Sequence, residues 1–130
     1  MTPRYQHINP AVLLDAAGQD IPTFLELSAT FLDIAPPMYE RLHQAITAGQ
    51  AAEVTLQSHS LKGTVALIGA DQLASRLGRI EALSRKASLE EIHALWSDLA
   101  EAYKETITEV HLSIRHFQES AECSEDSRNG

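Results

Sequence analysis

The chain has 130 residues, 44% of them hydrophobic and 22% charged, with a net charge of −8 at neutral pH, the make-up of one globular domain able to bury a core without staples. No cluster of lysine or arginine offsets that acidity, so neither nucleic acid nor an anionic membrane is an expected partner, and no apolar run approaches the roughly 20 residues that a membrane-spanning helix needs. A single cysteine, Cys123, excludes an internal disulfide framework.

The N-terminus, Met1-Thr2-Pro3-Arg4-Tyr5, lacks the apolar core of a secretory signal, which predicts a cytoplasmic protein. Asn9-Pro10 supplies a capping side chain and a first-turn proline, predicting a short helix that ends near Gly18. Asp20-Ile21-Pro22 opens a second helix, in which Phe24, Leu27, Phe31, Ile34, Met38, Leu42 and Ile46 recur at helical spacing as far as Gly49. Pro36-Pro37 falls inside that pattern. It predicts one long helix kinked at Ala35-Pro36, with two successive helices as the alternative, because proline removes a hydrogen bond and crowds the preceding turn. A third helix is predicted from Ala51 to Ile68, closed by Gly69, with Val54, Ser58, Leu61, Val65 and Ile68 as its buried stripe. A fourth runs from Asp71 to about Ala87, with Leu73, Leu77, Ile80 and either Leu83 or Ser84 turned inward. Ser88-Leu89-Glu90-Glu91 reads as a capping box for the last helix, whose stripe is Ile92, Leu95, Trp96, Leu99, Tyr103, Ile107, Val110, Ile114 and Phe117. No convincing strand is found. The predicted fold is all-α: an antiparallel four-helix bundle with a short additional N-terminal helix. It occupies residues 1–118, and the polar, aperiodic residues 119–130 are expected to form a disordered tail.

The third helix carries the chemistry. In Gln57-Ser58-His59-Ser60-Leu61-Lys62-Gly63, residues three and four apart on a helix are neighbours, so Lys62 and Gly63 both lie beside His59. The lysine offers an ammonium to an anion on the ring. The glycine leaves open space where a side chain would crowd it, although glycine inside a helix costs about 1 kcal/mol relative to alanine. His59 falls about 130° from the centre of the buried stripe and so points to solvent. Leu56, Leu67, Ala52 and Ala66 share its outward side. A small apolar patch around an exposed histidine has the character of a docking surface, since charged residues are depleted from interface cores. The competing reading for Leu56 and Leu67 is cover by the first helix.

The words His-x-Leu-Lys-Gly and then Gly-Ala-x-x-Leu, at Gly69, Ala70 and Leu73, resemble the histidine-containing phosphotransfer (HPt) domains of phosphorelays. The likeness is close over residues 50 to 87 and is elsewhere only a helical pattern; Ser58 stands where that family more often has a small apolar residue. The resemblance implies a phosphorelay intermediate that takes a phosphoryl group on His59 from a receiver-domain aspartate and passes it to another receiver. Such a protein is a phosphocarrier without kinase activity. It needs no cofactor of its own, the Mg²⁺ of the transfer belonging to the receiver. Its partners would be response-regulator receiver domains and a hybrid sensor histidine kinase, and it would be a monomer. The resemblance also places Glu81 where a carboxylate can hydrogen-bond the ring and leave the other nitrogen as nucleophile. Arg76, Arg79, Arg85 and Lys86 could meet an acidic partner surface, with Arg85 the docking candidate. Otherwise they are solvated charges.

Two rivals remain in other classes. One is a helical partner-binding module without phosphotransfer, in which His59 is incidental. The other is a di-iron or di-manganese centre built on the Glu-x-x-His words at Glu40, His43, Glu90 and His93. That centre needs its ligands inside the bundle, whereas Glu40 and Glu90 fall close to the solvent side of their helices. No metal site is therefore expected.

Overall fold

In the computed structural model the backbone is described for residues 4–129 and the side chains for residues 4–121. Five helices follow in order: α1, Pro10–Ala16; α2, Ile21–Thr47; α3, Ala51–Ala66; α4, Asp71–Arg85; and α5, Leu89–Asn129. No strand occurs among the described residues. The connections at 48–50, 67–70 and 86–88 are too short for anything but antiparallel neighbours. Helix α3 packs on α2 and α4, and α5 packs on the same two, so the four long helices close a ring around one core while α1 rests on α2. This is the predicted bundle with its extra N-terminal helix.

The starts of α1 and α2 are made as the sequence predicts, whereas the capping box expected of Ser88 and Glu91 makes no side-chain hydrogen bond among the described residues. The Asn9 side chain accepts from the N–H of Ala11, and Asp20 caps α2 by accepting from Thr23 N–H at 3.0 Å. Helix α2 passes through Pro36 and Pro37 as one element. Both prolines are exposed, so water can reach the carbonyls that they leave unpaired, and the alternative of two helices does not occur.

The core is assembled from Phe24, Leu42, Ile46, Val54, Leu61, Leu73, Leu77, Ile80, Ile92 and Leu99, all essentially without solvent contact. Each such side chain contributes about 1.5 to 3 kcal/mol relative to exposure. Leu27 and Ile34, which share the helical recurrence of Phe24 and Phe31, are about two-fifths exposed, at 38% and 43%. The interior positions of α2 go also to Ser28, Ala35 and Ala45, small residues that let neighbouring helices approach and push the larger side chains to the flank. Likewise Ala102, Thr106 and Ser113 of α5 are buried beside the predicted stripe. Phe117 is the last residue of α5 packed against the core among those described. Beyond it, through residues 119–129 where a disordered tail was expected, the backbone continues as helix; the side chains of residues 122–130 lie outside the described residues, as does Cys123's.

The N-terminal segment is tied to α5 and to the connection between α3 and α4. Glu109 of α5 accepts backbone N–H bonds from Gln6, His7 and Ile8 at 3.2, 2.9 and 3.3 Å. The next residue, Asn9, donates its N–H to the Ile68 carbonyl at 3.1 Å. Gly69 makes that contact possible. It has a φ of +69°, and a Cβ built there would lie 2.7 to 2.9 Å from Asn9 atoms. It therefore ends α3 and also receives the N-terminal segment.

Candidate functional site

The α3–α4 hairpin sets the site. Val54, Ser58, Leu61 and Val65 are fully buried, which fixes the rotation of α3 and turns His59 outward with 64% of its side chain exposed. On α4, Leu73, Leu77, Ile80 and Ser84 are buried and leave Glu81 at the seam facing α3. The Thr55 and Ser84 hydroxyls are 2.6 Å apart across that seam, and they hold the two helices in register one turn before the histidine.

Glu81 is the hub. Only 9% of its side chain is exposed, and its Oε1 lies 3.2 Å from His59 Nδ1 and 3.1 Å from Lys62 Nζ. Its Oε2 accepts from Arg85 at 2.8 Å. Burial acts to raise the carboxyl's pKa, and the hydrogen bonds from Lys62, Arg85 and His59, with the charge of Lys62, outweigh it, so the group titrates below its ordinary value of 4.5. The carboxylate is thus ionised at neutral pH. An ionised carboxylate can only accept, so the ring nitrogen facing it carries a hydrogen, and in the neutral ring Nε2 is then the atom left with the lone pair. The arrangement can deliver an in-line nucleophile beside one ammonium.

The stem of Lys62 passes over a residue that the sequence pattern did not single out. A Cβ at Gly78 would lie 3.5 Å from Lys62 Cδ, so this mid-helix glycine of α4 is the floor under the lysine's stem. Its signal in the sequence was the cost of glycine inside a helix, the same signal that marks Gly63. At Gly63 itself a Cβ would meet nothing within 4 Å. The space there is open to an approaching partner.

A model of the family described as "Hpt domain" matches residues 26–111, a span that holds the whole of α3 and α4 and most of the bundle. The chain belongs to the Hpt domain family. Its phosphorelay histidine phosphotransfer role follows from that membership. The crystal structure of histidine-containing phosphotransfer protein B (HptB) from Pseudomonas aeruginosa PAO1 is similar in fold, with a TM-score of 0.78 at 22% identity over 87% of this chain and 98% of that one. No curated protein matches.

In this Hpt domain the face around His59 has two unlike flanks. At about 100° per residue, Lys62 lies on the α4 side of His59, while Leu56 and Leu67 lie on the opposite, α2 side, and Ala52 and Ala66 sit nearly in line with it. All four apolar residues are exposed, Leu56 at 56% and Leu67 at 57%, so neither leucine is covered by α1. Leu67 continues into a shallow apolar groove with Leu13, Leu27, Thr30 and Ile34, which adds two α2 residues to the docking candidates. Arg85 stays on the charged flank, bound to Glu81. Elsewhere, Glu40, His43, Glu90 and His93 are all exposed, and His43 stacks on Trp96 with centroids 4.7 Å apart. Among the described residues no three His, Cys, Asp or Glu side chains converge as a metal site would require.

Proposed function

We propose that His59 is the residue that carries the phosphoryl group, taking it from a receiver-domain aspartate and returning it to another receiver. The Glu81 contact carries this reading: it fixes the Nδ1–H form of an exposed ring beside a lysine. In the transfer, the Nε2 lone pair attacks phosphorus in line, the N–P bond forms as the bond from phosphorus to the aspartyl oxygen breaks, and the aspartate leaves as a carboxylate. Glu81 balances the positive ring that results, and Lys62 can swing from Glu81 to the phosphoryl oxygens while Arg85 keeps the carboxylate in place. Mg²⁺ would be supplied by the receiver.

The receiver docks on the α2 side, against Leu56, Leu67 and the groove that includes Leu27 and Ile34, with Ala52, Gly63 and Ala66 leaving room over the ring. The chain works as a monomer in the cytoplasm, downstream of a hybrid sensor kinase and without kinase activity. No helix among the described residues is long and apolar enough to cross a membrane. Incubation with a phosphorylated receiver, followed by addition of a second, unphosphorylated receiver, tests the carrier role. Label should pass to this protein as an acid-labile, alkali-stable phosphoramidate and then onward. Binding of the receiver with no label transferred would instead favour a partner-binding module.

A further inference from the structure

Helix α4 has a second flank, turned away from His59. Residues two apart on a helix point about 160° away from each other, so Arg79 lies on the opposite side of α4 from Glu81 and His59. There Arg76 and Arg79 line a polar hollow with Gln72 and Ser75. The same two arginines also edge a groove between α4 and α5 whose apolar wall includes Leu95 and Leu99. Both arginines are exposed, and among the described residues neither forms an ion pair.

Residues 51–86 carry five Lys or Arg against three Asp or Glu, a net +2, whereas the rest of the chain carries five against fifteen, a net −10. Two of the three acidic residues in the α3–α4 segment, Glu53 and Asp71, lie at the helix starts, and the third, Glu81, is already bound by Lys62 and Arg85. Arg76 and Arg79 are thus cations without an ion-pair partner among the described residues, set beside an apolar slot on an acidic molecule.

We propose that this α4–α5 groove is a second protein-binding surface, which takes an acidic peptide segment bearing an apolar side chain. Its carboxylates pair with the two planar guanidinium groups, Gln72 and Ser75 add neutral hydrogen bonds, and the apolar side chain lies against Leu95. A nucleic acid fits worse, because its affinity comes from neutralising many phosphates and two arginines neutralise few. Since the surface lies away from His59, a partner held here leaves the phosphotransfer face open. A receiver joined to such a segment would then meet His59 at raised local concentration.

The test is a titration of the ¹⁵N-labelled full chain with a short synthetic peptide of alternating Glu and Leu, with its Gln-for-Glu counterpart and a single-stranded oligothymidylate as controls. Amide shifts should cluster at Gln72, Ser75, Arg76, Arg79 and Leu95 and leave His59 unmoved. Replacing both arginines, Arg76→Glu with Arg79→Glu, should raise Kd about tenfold or more, the scale of a lost charge-assisted contact. The neutral pair Arg76→Gln and Arg79→Gln should weaken binding in the same direction, and added salt should do so too. Absence of binding, equal binding of the uncharged peptide, shifts centred on His59, or tighter binding of the oligonucleotide through the same arginines would each overturn the proposal. The readout is binding alone, so it stands apart from the outcome of any phosphotransfer assay.

Discussion

At the residue scale, Glu81 links stability to pH. Its folded pKa is depressed below 4.5, so the ionised carboxylate stabilises the fold above the unfolded value, and that contribution is lost as pH falls through the folded value. Glu81→Gln should therefore melt below wild type at neutral pH, with the gap closing only as pH falls beneath the ordinary carboxylate range. A gap that stays constant across pH would show that packing, not charge, is what the glutamate supplies. Lys62 acts differently, since more than a third of its side chain is exposed and its role lies in the transfer. Lys62→Ala should raise the barrier to phosphoryl transfer by about 1.5 to 3 kcal/mol while receiver binding holds, as measured by rapid-quench kinetics beside a titration. His59, Lys62 and Gly63 were legible in the sequence because one helix's own geometry places them. The resemblance implied the contact of Glu81 with His59, and Arg85 stands four residues on in the same helix, but the contact of Glu81 with Lys62 was hidden. It depends on how α3 and α4 meet, and a spacing within one helix says nothing of contacts across two.

At the element scale, the sequence placed all five helices and most of their ends, through caps at Asn9 and Asp20 and the glycines at 49 and 69. The recurrence in α2 did not separate Leu27 and Ile34 from the buried positions, since a period of 3.6 finds a broad face and cannot tell its centre from its edge; Ser28 and Ala35, small and inward, mark the centre. The contact of Gly69 with Asn9 was also hidden, because glycine at a helix end is explained by its φ alone. Gly69→Ala should cost more than about 1 kcal/mol in urea denaturation, through both the positive φ and the clash with Asn9. A neutral result would mean that the N-terminal segment moves aside freely. On α3, Leu56→Ala and Leu67→Ala should each weaken receiver binding by about 1 kcal/mol or more. Melting temperature should barely change, as neither side chain leaves a cavity. Melting lowered by several degrees with binding intact would return them to the core.

At the scale of the whole molecule, the bundle is a rigid mount. Buried residues on every long helix fix the rotation of α3, and that rotation alone decides that His59 faces solvent with an apolar flank toward α2 and a charged flank toward α4. The all-α class was legible because amphipathic periods and caps are local signals, whereas the asymmetry of the two flanks needs the neighbours of α3 to be known. The account's central claim is that this mount serves one nitrogen of one histidine. It is tested most directly by the time course of label transfer from a phosphorylated receiver to wild type and to His59→Gln, with circular dichroism recorded on both. Wild type should become labelled and the variant should not, at unchanged helicity; label of the same acid-labile kind on the variant would contradict the account.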